Sequence, residues 1–370
     1  MIRDGVHLAE SEDEKAGVYR LRYDVYVKEM GRYRNVADHE NRWLVEPEDA
    51  TARIFYYGQD GKVVGTGRFS WGGDAPFSER QIEHYQIAPF LKELPRESLV
   101  VGERGMVVPE LRGSDVFDAV GRASRKFLNE KRVQLSFGAC EPHLLPLYIG
   151  NGARTFADKN INSPESGYLI PIVWVVEDVA YLRRIGSPEV DTVVDFGDDA
   201  RIPDCVERLI TNAGSVISQR LTGSGSYTDE VHEALSELSA SQFSALDDLT
   251  ENELVRCLGR SNIIECRAGD RLLKKGGVAR NMFVVLDGTL EVRDGGTLLR
   301  VLSPGDVFGE VAFLLERPRS ADIYAATDDA RVLSLSESNL RKLIESDPEF
   351  AAQLLLNISK ILCLRLVKGG

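Results

Sequence analysis

The sequence predicts two kinds of fold in one chain: an α/β domain built as a mixed sheet with flanking helices, then an all-β jelly-roll barrel with flanking helices. Three observations predict it. Strand-like and helix-like segments alternate as far as about residue 188, the order of layered α/β domains. Beyond about residue 241, short apolar runs recur at even spacing between Gly/Asp turns, the pattern of a small barrel. Between them lies a polar stretch whose segment 220–228 is rich in Gly and Ser, a linker composition rather than a core one. A chain of 370 residues is also too long for one typical core. The expected organisation is therefore an α/β domain over 1–188, a helical linker over 189–240 and a barrel domain over 241–370.

Each element has its own signal. Ala16 to Met30 reads as a helix with Val18, Leu21, Val25 and Met30 near one face. Two apolar runs over residues 52–70 flank Gln59-Asp60-Gly61, a hairpin signal, because Asp-Gly supplies the positive φ of a tight turn. Leu99 to Val108 reads as a strand, Asp115 to Arg132 as a basic amphipathic helix and Val133 to Ala139 as a further strand. A segment around Pro146 to Gly152 completes the alternation. In the second half, Gln242 to Cys257 is helical in pattern. The barrel strands are expected at Ile263–Cys266, Met282–Leu286, Leu290–Arg293, Leu298–Leu302, Ile323–Ala325 and Arg331–Leu335. A final helix, Leu354 to Val367, is aliphatic enough to require burial or a partner.

Composition narrows the function. Hydrophobic residues at 43% and charged residues at 28% are globular proportions and exclude wholesale disorder. A net charge of -13 repels phosphate backbones, so no nucleic acid partner is expected. Five scattered cysteines (Cys140, Cys205, Cys257, Cys266, Cys363) show no zinc spacing and read as free thiols of a reducing cytoplasm. No metal site is expected. The acidic start lacks the pattern of a secretory signal. The most apolar stretch, Tyr168 to Tyr181, is interrupted by Pro171, Glu177 and Asp178, so no transmembrane segment is expected and membrane contact would be peripheral. The last helix offers a surface for oligomerisation.

The richest motif runs from Phe308 to Asp322. Gly309 permits close backbone approach and a short helix from Glu310 aims free N–H groups outward, a setting for an anionic phosphate. Arg319 adds a charged donor, and Glu310 offers an acceptor for a sugar hydroxyl. This stretch resembles the phosphate cassette of cyclic nucleotide-binding domains, and the likeness spans residues 241–370. Arg267-Ala-Gly-Asp-Arg, Met282 to Val292 and Ser303-Pro-Gly305-Asp lead into it. The resemblance implies that Glu310 binds a ribose 2′-hydroxyl and Arg319 the cyclic phosphate. It further implies that the backbone at Gly309, Val311, Ala312, Ser320 and Ala321 lines the site, with cyclic AMP, or cyclic GMP, as the ligand. Asp322 departs from the small hydroxyl residue usual at the base-facing position. The bland reading is a barrel kept as a docking platform. The chain ends soon after the last helix, where related transcription factors carry a helix-turn-helix, so a DNA-reading role is not expected.

In the first half, Val107-Val-Pro-Glu-Leu-Arg112-Gly113 at a strand-to-helix junction is an expected anion site. With Leu147-Tyr148-Ile-Gly-Asn-Gly152 downstream it resembles the GNAT acyltransferase fold. Tyr19 to Gly31, Asp38-His-Glu40-Asn, Glu46 to Asp49 and Gly65-Thr-Gly-Arg68 narrow the resemblance. It points to the GNAT branch of N-acyl amino acid synthases and autoinducer synthases, over residues 15–188. This implies an N-acyltransferase that takes a fatty acyl chain from acyl carrier protein, or from acyl-coenzyme A, to the amine of an amino acid or small amine.

The reaction needs a proton acceptor for the amine, a donor for the departing thiolate and donors for an oxyanion. Glu103 is the candidate base and Tyr148 the candidate acid; Arg22, Arg68 and Arg104 would orient a carboxylate on the acceptor. Position 101 is Val where the autoinducer pattern has Glu, and Glu103 adjoins Arg104. Neighbours on a regular strand face opposite ways, so only one of this pair is expected in the site. Each residue also has a structural reading: Tyr148 as a core aromatic, Glu103 as a salt-bridged carboxylate, Arg22 and Arg68 as ion-pair partners. His39 and His143 are expected to be structural. The series Arg122, Arg125, Lys126, Lys131 and Arg132 is either a solvated helix face or a docking surface for an acidic carrier protein. Cyclic-nucleotide regulation of this enzyme is the leading expectation. A nucleotide-regulated protein lysine acetyltransferase using acetyl-coenzyme A and a non-catalytic sensor are the alternatives.

Overall fold

The computed structural model describes residues 2–141, 144–157, 160–163, 167–210, 216–217, 250, 261–277, 281–315, 317–328 and 330–368. The Gly/Ser segment 220–228, the expected helix 242–257 with Cys257 except for residue 250, and His143 lie outside them. In chain order the first part contains β1 (Gly5–Leu8), α1 (Glu12–Arg22), β2 (Arg53–Gln59), β3 (Lys62–Trp71), α2 (Glu79–His84), α3 (Ala88–Leu91) and β4 (Leu99–Val107). It continues through α4 (Val116–Glu130), β5 (Leu135–Cys140), α5 (Leu145–Gly150), β6 (Arg154–Thr155), β7 (Ile161–Ser163), β8 (Gly167–Val175), α6 (Val179–Arg184) and α7 (Cys205–Leu209).

The sheet order is β1-β2-β3-β4-β5-β8-β6, with β7 beside β8. Helix α1 begins four residues before the expected position because Ser11 and Glu14 cap it reciprocally. It then widens into a π-helical stretch, Tyr23–Glu29. The expected hairpin joins β2 to β3 through Asp60 and Gly61, at φ 51° and 70°, the twist-matched turn that Asp-Gly favours.

Strand β4 is irregular in two places. Its parallel pairing with β5 covers only Leu99–Val101 against Leu135–Phe137, although both strands run on. Against β3, Thr66 faces Met106 while Arg68 faces Glu103, so Gly67 is opposed by two residues, Arg104 and Gly105. This is a β-bulge, and Arg104 stands at φ 58° within it.

The second part holds β9 (Val216–Ile217), β10 (Asn262–Cys266), β11 (Arg271–Leu273), β12 (Asn281–Asp287), β13 (Leu290–Asp294), β14 (Thr297–Leu302) and β15 (Val307–Phe308). Helix α8 (Glu310–Leu315), β16 (Asp322–Ala325), β17 (Ala330–Ser336), α9 (Glu337–Ser346) and α10 (Pro348–Lys368) complete it. Two sheets, β15-β12-β17-β10-β9 and β11-β16-β13-β14, form the barrel. The six expected strands lie within one or two residues of their sequence positions.

Met282, Val284, Leu286, Val307, Leu333 and Leu335 make the barrel core together with Phe350, Leu354, Ile358 and Ile361 of α10. That contact accounts for the apolar face of α10. By length and composition, Pro348–Val367 is the described helix apolar enough to cross a membrane. The stretch Tyr168 to Tyr181, singled out by sequence, is instead largely β8, with Ile170, Ile172 and Val173 buried.

The chain forms two compact units: Met1–Cys140, Gly150–Ala157 and Pro171–Ala213 in the first, Glu141–Ile149, Asp158–Ile170 and Gly214–Gly370 in the second. The second unit thus takes in two segments from the expected 1–188 domain. Residues 189–210 are no free linker. Val193 packs with Val179 and Leu182, and Cys205, Val206 and Ile210 join the core of β4 and β5.

Candidate functional site

The cluster at the β4 bulge contains the four charged catalytic candidates, Arg22, Arg68, Glu103 and Arg104. Arg68 donates from Nη1 to Asp49 Oδ1 (3.1 Å) and from Nη2 to Glu103 Oε2 (2.9 Å), and its Nη1 lies 2.9 Å from Glu46 Oε2. Arg22 Nη1 donates to both Asp49 oxygens, at 2.7 and 2.8 Å. Arg104 donates from Nε to Glu46 Oε2 (2.6 Å) and from Nη1 to the Tyr33 hydroxyl (2.8 Å), and its guanidinium lies over both the Tyr26 and Tyr33 rings, 5.1 and 4.6 Å from their centroids. The expectation that only one of Glu103 and Arg104 enters the site is corrected. The extra residue of the bulge breaks the alternation, so both join one network.

Glu103 is the hub. Its Oε1 accepts from Arg80 Nη2 and the Tyr85 hydroxyl, both at 2.9 Å, and its Oε2 accepts from Arg68 Nη2 (2.9 Å) and Gln81 Nε2 (2.8 Å). Burial alone would raise its pKa, but the guanidiniums of Arg68, Arg80 and Arg104 outweigh that and hold it at about 2. Glu46 is likewise held at about 2, burial being overcome by Arg104 and then Arg68. A carboxylate so weakly basic, with four donors on it, is a poor proton acceptor. The geometry gives Glu103 a holding role rather than that of the expected base.

Arg80, Gln81 and Tyr85 were missed by sequence reasoning. Their signal is the Ser78-Glu-Arg-Gln81 capping box that starts α2. His84 lies one turn beyond Arg80 on this helix and is half-buried; burial, then the Arg80 charge, lowers its pKa and favours the neutral ring. Among the described residues, Arg22 Nη2 and Nε and Arg68 Nε are buried without hydrogen-bond partners.

Other expected residues fall elsewhere. Tyr148 is half-buried on α5, in a segment that groups with the second unit rather than with this cluster. Arg112 spends its guanidinium on Glu29, donating from Nη1 and Nη2 at 2.7 Å each, so its side chain is engaged by a carboxylate of the π-helical stretch. His39 is structural as expected: its ring nitrogens meet the Tyr23 hydroxyl (2.9 Å) and the Arg34 carbonyl (2.8 Å). The basic face of α4 is partly spent internally, since Arg125 pairs with Glu189, Arg132 with Glu177, and Lys131 lies over Trp71. Arg122 and Lys126 remain exposed.

In the barrel, the sequence motif folds into one cassette. Gly309, at φ 79°, leads into α8, and a Cβ there would stand 2.6 Å from Arg319 Nη1. Arg319 turns inward: Nη1 donates to the Gly309 carbonyl, and Nη2 to the carbonyl and Oδ1 of Asn281, all at 2.6 Å. Its main chain is pinned as well, its N–H donating to the Gly277 carbonyl and its carbonyl accepting from the Gly276 N–H, both at 2.8 Å. Burial lowers its pKa to about 10, against the pull of Glu141 and Glu310.

Glu310 opens α8 and accepts from Arg365 Nη1 of α10 at 2.9 Å; Arg365 Nη2 also meets the Val307 carbonyl and Asp306 Oδ1. Val311 and Ser320 are exposed, while Ala312 and Ala321 are buried. Asp322 is engaged in the barrel, Oδ1 accepting from the Lys275 N–H at 3.1 Å. Asn281 and Arg365 were not foreseen, because neither stands near the motif in sequence.

Residues 263–347 match the family model of the cyclic nucleotide-binding domain. The C-terminal part of the chain is a cyclic nucleotide-binding domain. Its sequence is similar to that of the cAMP-dependent protein kinase regulatory subunit of Debaryomyces hansenii, 33% identical over 111 residues, which are 30% of this chain and 22% of that protein. The cGMP-dependent protein kinase egl-4 of Caenorhabditis elegans is 33% identical over 91 residues, 22% of this chain and 12% of the kinase. The chain thus spans less than a quarter of the length of either relative. Among solved structures, a cyclic nucleotide-binding domain from Methylobacillus flagellatus aligns at 19% identity and a TM-score of 0.34, covering 42% of this chain and 85% of that one.

Proposed function

We propose that the chain is an N-acyltransferase of the GNAT type regulated by a cyclic nucleotide. It would move a fatty acyl group from acyl carrier protein, or from acyl-coenzyme A, to the amine of an amino acid or small amine. The observation that carries the catalytic half is the early end of the β4–β5 pairing beside the charged cluster. Pairing stops at Val101 and Phe137, and Glu103 and Arg104 follow within three residues on β4. Parallel strands that part leave unpaired backbone groups, which an extended pantetheine arm can complete with its amides.

In the reaction the neutral amine attacks the thioester carbonyl, a C–N bond forms and the C–S bond breaks. The amine loses a proton and the thiol leaves with one. Glu103 serves as counter-charge, fixing Arg68 and Arg80. Arg22, with Nη2 and Nε unpartnered, and Arg68, with Nε unpartnered, are the guanidiniums of the cluster with donors to spare for a carboxylate on the acceptor. His84, one turn from Arg80 and with its pKa lowered by burial and then by the Arg80 charge, is the group proposed to take the amine's proton.

In the barrel, Glu310 would take the ribose 2′-hydroxyl and Arg319 the cyclic phosphate of cyclic AMP, or of cyclic GMP, with the backbone of Gly309, Val311, Ala312, Ser320 and Ala321 around it. A coupling of about 1–3 kcal/mol between nucleotide and catalysis is the expected scale. One assay tests both halves: purified protein with a panel of acyl carriers, acyl-coenzyme A, amino acids and a lysine peptide, with and without each nucleotide, products read by mass spectrometry. A long-chain N-acyl amino acid formed at a nucleotide-dependent rate is expected. An acetylated lysine peptide, or no amide from any pair, contradicts the reading.

A further inference from the structure

We infer that Asn281 is a positioning residue that sets nucleotide affinity, by holding the phosphate-binding arginine with uncharged groups alone. The inference rests on the reading of Glu310 and Arg319 as the nucleotide site. Arg319 and Asn281 are both buried, at 5% and 1% exposure. Among the described residues, every hydrogen bond of the Arg319 guanidinium ends on a neutral acceptor: the Gly309 carbonyl, the Asn281 carbonyl and Asn281 Oδ1. Its Nε is buried with no partner among the described residues. Glu141 and Glu310 act on it only through space, and Glu310 is itself bonded to Arg365.

A buried cation without a hydrogen-bonded counter-charge is costly, and an anion that enters recovers the cost. The ligand's phosphate therefore supplies what the protein withholds. An aspartate in the same place would satisfy Arg319 in advance and leave less for the ligand to gain. The amide is fixed in the required sense: Asn281 Nδ2 faces Ser334 Oγ at 3.5 Å, which turns Oδ1 toward Arg319. A carboxylate also fits, because the Ser334 hydroxyl can turn from acceptor to donor.

The test compares wild type, Asn281→Asp and Asn281→Ala by calorimetric titration with cyclic AMP and cyclic GMP, and by thermal unfolding without ligand. Asn281→Asp is expected to weaken binding at least tenfold while raising the ligand-free melting temperature. Asn281→Ala is expected to lower the melting temperature and to weaken binding less. A merely structural asparagine would make affinity and stability fall together in both variants. Wild-type binding with Asn281→Asp equally tight, or Asn281→Asp less stable than wild type or unfolded, overturns the inference. No heat from wild type with either nucleotide overturns the cassette reading itself, and the melting order of the three proteins then still reports on the withheld counter-charge.

Discussion

Glu103 and Arg319 meet the same difficulty, a charge taken out of water, in opposite ways. Glu103 is enclosed by guanidiniums and donors on both oxygens; Arg319 is enclosed by neutral carbonyls. The first arrangement is a frame; the second, on the proposed reading, is a site in waiting, since it has something to gain from a ligand's charge. The frame has a pH signature. Glu103 and Glu46 are held at about 2 in the folded protein, below their unfolded values near 4.5. Their contribution to stability is therefore complete above about pH 4.5 and drains away as pH falls toward 2.

Thermal unfolding followed from pH 7 to pH 2.5 should show this loss in wild type. Glu103→Gln should be less stable at pH 7 by about 3–5 kcal/mol, the usual cost of leaving a buried partner unpaired, and should lose less on acidification. Equal stabilities at pH 7 would remove Glu103 from the frame. The sequence marked Glu103 as chemically loaded but not its role, because Arg80, Gln81 and Tyr85 come from a short helix about twenty residues away and their approach depends on the fold.

At the scale of elements, the barrel strands were legible because short apolar runs bounded by Gly/Asp turns leave few alternatives. Met282 to Leu286, continuously apolar and buried at every position rather than alternating, shows how short such runs are, and its core partners Leu333 and Leu335 belong to another. The β4 bulge was not legible. Alternation assumes one residue per pleat, and nothing local to Glu103-Arg104-Gly105 announces the extra one; only the partner strand does, by setting Gly67 against two residues.

The closing helix was foreseen as aliphatic, but its start was set six residues late. Asp347, whose Oδ1 accepts from the Phe350 N–H at 3.3 Å, caps it ahead of Pro348. Its two halves are held differently. Phe350, Leu354, Ile358 and Ile361 are buried in the barrel core, whereas Leu364, Leu366 and Val367 are exposed and the last turns are tied by Arg365 to Glu310. Arg365→Ala should therefore speed amide hydrogen exchange at residues 362–368 by about tenfold and leave 350–358 unchanged. Uniform exchange along the helix in both proteins would show that Arg365 is no tether.

At the scale of the molecule, the sequence read locally placed a barrel in the C-terminal part, where residues 263–347 match the cyclic nucleotide-binding domain, but did not display how segments are shared. Glu141–Ile149 and Asp158–Ile170 group with the second unit although no shift in composition marks them, and residues 189–210 pack on the first. Burial between elements distant in sequence decides such membership, and a single chain read locally does not display it.

The central claim is that one molecule joins a thioester-consuming cluster at β4 to a nucleotide site at Glu310 and Arg319. The most direct measurement is the initial rate of thiol release from an acyl donor as cyclic AMP or cyclic GMP is titrated, in wild type and in Arg319→Ala. The account predicts a saturable change in rate with nucleotide for wild type and a flat line for Arg319→Ala. Superimposable curves from the two proteins, or a wild-type rate indifferent to both nucleotides, would contradict it.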